Sequence, residues 1–519
     1  MIEFAALTGP LPKLGVVVVA LFAAGTLLLH DRRKRALAML GALVLSPVLL
    51  LSDIWDSPQL RLVHRHPLVA LVGAVIAIAL LAAVARVIAR HPGVLAPLAV
   101  LALPFRVPIQ AGGTTSNLLV PLYLVVAAGA LAWIVPALRA PPESDPTIPH
   151  DDGSGGWAIW VERLLALYVV LYGVQAIYSS SFETALQQMV FFYVPFTVLY
   201  RLLRGLRWTP EMIGFCLRLT VALALIFSAI GFVEYATKSI ILNSKLVVAN
   251  DLHTYFTVNS VFFDPDIFGR YLALVMILLA VVLLYDRPQR EQVATIVVLA
   301  ILWVGLLLTL SRSSLGALLV GLAVLAALRW KPSRALVVAV VVIALGALAV
   351  AATPRTFGLN QGLNGASSGR GGLVSGGLSL FADRPVWGWG SGSFVKEYRA
   401  HHRATATTLS ASHTIPVTVG AEQGLIGEIT YVALVISALI CLLRRARGDP
   451  IRSAIGAAFA ALVFHTLLYA DFLEDPVTWA LLGVGVSLAV SPLPAAVRRE
   501  SGGVRARFRT SSAASTTAP

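Results

Sequence analysis

Residues 118–138 read LLVPLYLVVAAGALAWIVPAL, an unbroken run without a charged side chain. At 1.5 Å per residue such a helix is about 31 Å long, enough to cross a hydrocarbon layer of about 30 Å. Inside lipid the run must be helical, because its backbone groups have no partner except one another. Pro121 lies within it, and neighbouring helices can re-satisfy the carbonyl that a membrane proline frees. Runs of the same kind recur at 14–29 and 335–352. Of the 519 residues, 58% are hydrophobic and 13% charged, against about 25% charged in an average soluble domain. The chain is therefore read as an all-α polytopic membrane protein.

Working outward from 118–138, fifteen apolar runs are predicted as spans, within a range of twelve to fifteen. They lie near 14–29, 36–51, 68–89, 93–104, 118–138, 157–177, 189–204, 212–235, 266–285, 291–310, 312–328, 335–353, 415–443, 451–470 and 475–491. The fourth is short and contains Pro97, which leaves open whether it crosses fully or re-enters. Pro47 falls inside the second. Alternate connections carry the basic clusters: HDRRKR at 30–35, RHP at 90–92, 139–156, RGLR at 204–207, DRPQR at 286–290, Arg329–Arg334, RRARGDPIR at 444–452, and the tail. The positive-inside rule puts these on the cytoplasmic side, with the N-terminus outside and the C-terminus inside. The predicted organisation is N-terminal spans 1–92 of unassigned role and a transmembrane core 93–353 with an outer loop 236–265. A large outer loop 354–414, closing spans 415–491 and a basic tail 492–519 follow. Within the large loop, GLNQGLNGASSGRGG (358–372) reads as mobile and ADRPVWGWGSGSF (382–394) as ordered.

The net charge of +14 does not indicate nucleic acid. The basic residues sit between apolar runs, and no aromatic-and-basic groove pattern is present. Cys216 and Cys441 lie in separate apolar runs, without metal-ligand spacing and too few for a disulfide framework. There is no P-loop, and the Gly388-Trp389-Gly390 triplet follows no strand, so nucleotide binding is rejected.

Charge at a membrane edge is costly unless it has a task. Arg270 lies in VFFDPDIFGRYLALV (261–275) and Arg312 in LTLSRSSLGALLV (308–320), both at outer ends of spans. Either could be a snorkelling anchor. As a pair on one face they suit a diphosphate, because a guanidinium presents a planar fork to phosphate oxygens. His413, in LSASHTIPVTVGAEQGLIG (409–427), stands where the large loop rejoins the membrane. It is either a loop histidine without a role or a general base, since imidazole titrates near neutral pH. Asp264-Pro265-Asp266 has the spacing of two metal ligands, but Pro265 reads as a turn with Asp266 near a helix N-cap, and no metal site is predicted. Glu422 is expected to orient His413 or Arg312, or to face a wet cavity. His465 reads as a hydrogen-bonded interior histidine.

Four motifs in order carry a family resemblance: FFDPDIFGRYLAL (262–274), LSRSSLGALL (310–319), DRPVWGWGSGSF (383–394) and SHTIPVTVGAEQGLIGEITY (412–431). PFRVPIQAGGTTSNLLVPLYLVVAAG (104–129) adds a weaker match. Together they resemble the O-antigen ligase and polymerase (Wzy_C-type) family of bacterial membrane glycosyltransferases over about 253–480. The first 90 residues resemble nothing nameable. Thr414 stands where asparagine is common in the family. The resemblance implies a GT-C-like fold in the bacterial inner membrane, with the large extracytoplasmic loop before the last three spans. It implies an undecaprenyl-diphosphate-linked glycan donor and an acceptor hydroxyl on a lipid or glycan, joined by an inverting reaction needing no metal or cofactor. Arg270 and Arg312 would bind the diphosphate and His413 would activate the acceptor. Arg384, Arg399, Arg403, Glu422 and Asp266 are the expected substrate-binding helpers. The partners implied are the donor, the acceptor, membrane lipids and other polysaccharide-assembly membrane proteins, with no nucleic acid. The competing expectation is a secondary transporter or a flippase of lipid-linked glycans. Few charges at membrane depth and no evident inverted repeats speak against it. Peptidoglycan polymerases of the shape and division group share the general architecture, but the loop motifs fit them less well.

Overall fold

The computed structural model describes residues 9–54, 65–111, 114–139, 156–240, 256–285, 288–330, 333–334, 370–402 and 412–490. The predicted span 335–353, the loop segment 354–369, Arg403 and the tail 492–519 lie outside the described residues. The helices are α1 (Pro10–Leu28), α2 (Arg32–Ile54), α3 (Pro67–Arg90), α4 (Leu95–Ala102), α5 (Val120–Arg139) and α6 (Gly156–Ala176). Next come α7 (Phe182–Arg204, with a π-helical turn at Met189–Tyr193), α8 (Pro210–Thr237), α9 (Pro265–Leu284), α10 (Gln289–Leu308) and α11 (Arg312–Arg329). The loop region contributes α12 (Arg370–Asp383) and α13 (Phe394–His402), and the chain closes with α14 (Ile415–Leu443), α15 (Pro450–Thr466) and α16 (Pro476–Val490). One antiparallel hairpin, β1 (Val107–Ala111) and β2 (Thr114–Leu118), joins α4 to α5.

Among the described residues, 11 helices are long and apolar enough to cross a membrane: α1–α3, α5–α11 and α14. Three shorter apolar helices, Pro92–Ala102, Pro450–Thr466 and Pro476–Val490, fall on the fourth, fourteenth and fifteenth predicted runs. The all-α polytopic reading is borne out. The fourth run is too short to cross alone. At 1.5 Å per residue it covers about 16 Å, half the hydrocarbon layer, before the chain turns through the hairpin.

Helix boundaries follow from local chemistry. Thr209, Asp264, Ser311 and Asp449 each stand in extended conformation and accept a backbone N–H of the following turn, an N-cap worth about 1 kcal/mol. Arg139, Arg204 and Arg329 sit in the last turns of α5, α7 and α11, where a cation meets the negative end of the helix dipole. The apolar core forms two clusters, one around α1, α2, α5–α7, α14 and α16, the other around α8–α11 and α15. α3 is the exception: only 6% of its apolar window is buried inside the protein, which leaves its surface to lipid.

Side-chain contacts fix which helix ends meet. Lys13 of α1 lies over the Phe182 ring at the start of α7, and Arg32 at the start of α2 lies over Trp133 near the end of α5. Ser179 before α7 bonds Ser391, whose neighbour Gly392 donates to Glu422 in the early turns of α14. Thr414 before α14 donates to the Leu467 carbonyl ahead of α16, Asp475 before α16 pairs with Arg270 of α9, and Asp266 of α9 accepts from Ser311 before α11. The starts of α1, α7, α9, α11, α14 and α16 thus share one end of the bundle, the site end. The opposite end is basic: Arg447 donates to the carbonyls of Ala327, Leu328 and Trp330, and Arg329 to that of Leu284. Between α4, α8, α9, α15 and α16 lies an apolar groove of about 750 Å³. Arg106, Arg270 and Asp475 line it at the site end, Trp208, Tyr285 and Asp449 at the opposite end.

Candidate active site

The starts of α9 and α11 are sewn together by hydroxyls. Asp264 caps α9 by accepting the Asp266 N–H at 2.7 Å, which is the turn that Asp-Pro-Asp suggests. Ser311 donates its Oγ to the Asp266 carboxylate, Ser313 does the same at 3.1 Å, and Ser314 reaches the Asp266 carbonyl at 3.2 Å. His465 of α15 lies behind them, its Nε2 at 3.2 Å from both Ser313 and Ser314. It is fully buried, the interior histidine expected from sequence. Arg312 stands at the first position of α11 with an exposed side chain, between the two serines that hold Asp266.

Arg270 lies one helical turn below Asp266 on α9. Its Nη2 is 2.8 Å from Asp475 Oδ2 and its Nη1 is 3.5 Å from the Asp471 carbonyl. Tyr469, in the connection between α15 and α16, is the hub. Its ring centroid lies 6.0 Å from the Arg270 guanidinium, 5.9 Å from the His413 ring and 5.5 Å from the His465 ring. Arg270 and His413, remote in the chain, therefore meet around one aromatic ring. Arg312 shares their end of the bundle, though neither it nor His413 lines the groove that Arg270 faces.

His413 sits just before α14 with φ 57°, the left-handed region that non-glycine residues seldom occupy. The neighbouring Ser412 secures the turn, its Oγ donating to the Thr414 carbonyl at 2.6 Å and accepting the Thr414 N–H at 3.1 Å. Burial, then the nearby Arg370 guanidinium, push the His413 imidazole below its ordinary pKa, while Asp266 and Asp471 oppose the shift. The imidazole is held neutral, the form a base requires. Burial and the neighbouring Asp266 push Asp264 up to about 6. Burial and Asp471 push Glu474 well above the carboxylate range.

Arg370 was not singled out from sequence. It lies near the end of the Gly- and Ser-rich stretch 358–372 read as mobile, yet the structure begins α12 at that residue. Its guanidinium reaches Asp266 Oδ2 at 3.2 Å and the Leu468 carbonyl at 2.7 Å, clasping α12 to α9 and to the Tyr469 connection. Asp475 and Tyr469 were missed as well. A signal was present: Asp471, Glu474 and Asp475 fall within five residues at a membrane edge.

The remaining candidates form a second group. α14 is broken at Gly424, where φ is 64° and ψ −164°. The break turns carbonyls outward, and the Gly-Trp-Gly loop fills it. Trp389 and Gly390 donate to the carbonyls of Ala421 and Glu422 at 3.1 and 2.8 Å, and Leu425 donates to that of Pro385 at 2.7 Å. The Glu422 carboxylate accepts the N–H groups of Gly392 at 2.8 Å and Phe394 at 3.0 Å. It therefore holds the start of α13, where the sequence leaves it to orient His413 or Arg312 or to face a wet cavity. Gly388 and Gly390 have φ of 67° and 95°. A Cβ on Gly388 would lie 2.3 Å from the Glu422 carbonyl oxygen, so the close approach admits only glycine. Arg384 stacks on Trp389 at 3.9 Å, and Arg399 lies exposed on α13. Tyr178, Ser179 and Lys396 lash this loop to the end of α6.

Fold and charged rim together define a polytopic membrane protein with a polar site at one end of its bundle. Residues 296–432 match the Wzy_C family, described as O-antigen ligase, and the resemblance drawn from the motifs is borne out over that stretch. It holds Arg312, Arg370, Arg384, Arg399, Arg403, His413 and Glu422, while Asp266, Arg270, Tyr469 and Asp475 lie outside it. A comparison with curated proteins finds no match. The family match supports a glycan-transfer role in polysaccharide assembly, by an activity of the ligase or polymerase glycosyltransferase type.

Proposed function

We propose that the chain transfers a glycan from undecaprenyl diphosphate to an acceptor hydroxyl at the site end, which faces the extracytoplasmic side of a bacterial inner membrane. One observation carries this reading: Arg270 closes the site end of a long apolar groove and shares Tyr469 with His413. From Arg270 to Tyr285, the groove follows α9 for about 22 Å, a shape suited to an isoprenoid chain whose headgroup stops at the arginine. The basic opposite end supports the orientation, with the N-terminus outside and the C-terminus inside.

Breaking the glycosyl–phosphate bond builds negative charge on the departing diphosphate. Arginines already in place stabilise that charge, and one such donor group is worth about 10²–10³ in rate. Arg270 and Arg312 take this part, with Arg370 close to His413. His413, kept neutral, accepts the acceptor's proton, contributing about 10²–10⁴. Attack from the face opposite the diphosphate inverts the anomeric carbon. The arginines supply the charge stabilisation, so the scheme uses no metal. Arg384, Arg399, Arg403, Glu422 and Asp266 act as binding or positioning helpers, with Glu422 working through the loop that it holds.

The transporter reading gains one observation, the break in α14, since broken helices line many transport sites. Here loop backbone fills the break. Purified protein in liposomes, given a defined undecaprenyl-diphosphate-linked glycan, a glycolipid acceptor bearing free hydroxyls and no energy source, separates the two. New glycosidic bonds are expected; translocation without bond formation would refute the transferase. Lipid-linked glycans in a deletion strain then separate polymerase from ligase, by accumulation of single units or of long chains.

A further inference from the structure

Arg270 and Asp475 are both nearly fully buried, and both line the site end of the groove. The two oxygens of Asp475 have separate tasks. Oδ1 accepts the Val477 N–H at 3.0 Å and caps α16, while Oδ2 lies 2.8 Å from Arg270 Nη2. One oxygen therefore serves the fold and the other only neutralises the arginine. A buried ion pair adds little stability over apolar packing, whereas a buried cation without a partner is costly. The pair also occupies the spot where a lipid headgroup must arrive if its tail lies in the groove.

We propose that Asp475 is an exchangeable counter-ion. It holds Arg270 while the site is empty, yields it to the incoming diphosphate, and reclaims it to expel the spent carrier lipid. This rests on the reading above that the groove and Arg270 receive a polyprenyl diphosphate. The carboxylate is tethered beside the guanidinium, so it competes at high effective concentration. A headgroup displaces it only by bringing more charge and more acceptor oxygens, which a diphosphate does better than a monophosphate on the same lipid. Asp475 thereby sets specificity for the diphosphate carrier and hastens product release. The other pair at this end, Arg370 with Asp266, is unsuited to the task. Its side chains are 35% and 19% exposed, and water screens their attraction.

Asp475→Asn tests the exchange, because an asparagine oxygen can keep the α16 cap while the charge is gone. Binding of undecaprenyl diphosphate and undecaprenyl phosphate is measured on the full-length protein in nanodiscs, with steady-state transfer alongside. Wild type is expected to prefer the diphosphate. In D475N both lipids should bind tighter, on the order of tenfold for the diphosphate, and the preference should narrow. KM and kcat should fall together as product release slows, and Asp475→Glu should restore discrimination. In an Arg270→Gln background the Asp475 substitution should change neither affinity. Unchanged or weaker diphosphate binding by folded D475N overturns the exchange while leaving the functional reading intact. Failure to fold by both D475N and Asp475→Ser, another good cap, assigns Asp475 to structure alone and also overturns it. No binding of either lipid by wild type overturns the functional reading, and the exchange with it.

Discussion

His413 is the base of the proposed transfer, and its surroundings say how that transfer should vary with pH. Burial and Arg370 both favour the neutral imidazole. Transfer should therefore persist below the usual imidazole range and fail only when acid finally protonates the ring. Removing the positive charge of Arg370 takes away one depressing influence, so the histidine pKa rises. The acid limb of a kcat/KM–pH profile in Arg370→Gln should move to higher pH, and an unmoved limb would detach Arg370 from His413. At this scale the sequence was partly legible. Arg270, Arg312 and His413 stood out as costly polar groups at span ends. Arg370 did not, because its glycine and serine neighbours signal a mobile loop, and helix α12 depends on docking against α9 and α14. Asp475 looked like an ordinary Asp-Pro helix start, and its bond to Arg270 lies 205 positions away in the chain.

Among the elements, α14 shows how a family motif becomes geometry. The Gly-Trp-Gly loop could be read only as a resemblance, since no local pattern announces that it fits the break at Gly424. That fit needs two glycines in the left-handed region, Gly388 and Gly424, each pressed against the other strand's backbone. A Cβ on Gly424 would lie 2.4 Å from the Val386 carbonyl oxygen. Gly424→Ala should cost about 1–3 kcal/mol of local strain, loosen α13 and lower transfer at least tenfold. Hydrogen exchange at Trp389, Gly390 and Leu425 should rise with it. Wild-type protection at those amides would show that the loop does not depend on the break. The same fit explains why Glu422 could not be placed from sequence: its direction is set where the helix stops.

For the whole molecule, charge-free runs and basic connections gave the spans, because length and desolvation decide them before packing does. Packing decided the rest: which helix faces lipid, as α3 does, and where helices stand apart to leave the groove. Neither follows from hydropathy, since lipid-facing and core-facing residues in a membrane are equally apolar. If the groove holds the donor's tail, filling it should weaken donor binding without touching the charged rim. Leu278 lines its middle, and Leu278→Trp should raise the donor KM about tenfold, 1.4 kcal/mol, with kcat little changed. An unaltered KM in a well-folded protein would place the tail elsewhere.

In the proposed function the groove, the arginine and the imidazole serve one donor. Single-turnover transfer from a defined undecaprenyl-diphosphate-linked glycan to a glycolipid acceptor bearing free hydroxyls, measured with donor binding on wild type and His413→Ala in the same nanodiscs, bears on that most directly. His413→Ala should bind the donor as wild type does and form no glycosidic bond. Normal product from His413→Ala, or loss of donor binding in a protein that remains folded, would contradict it.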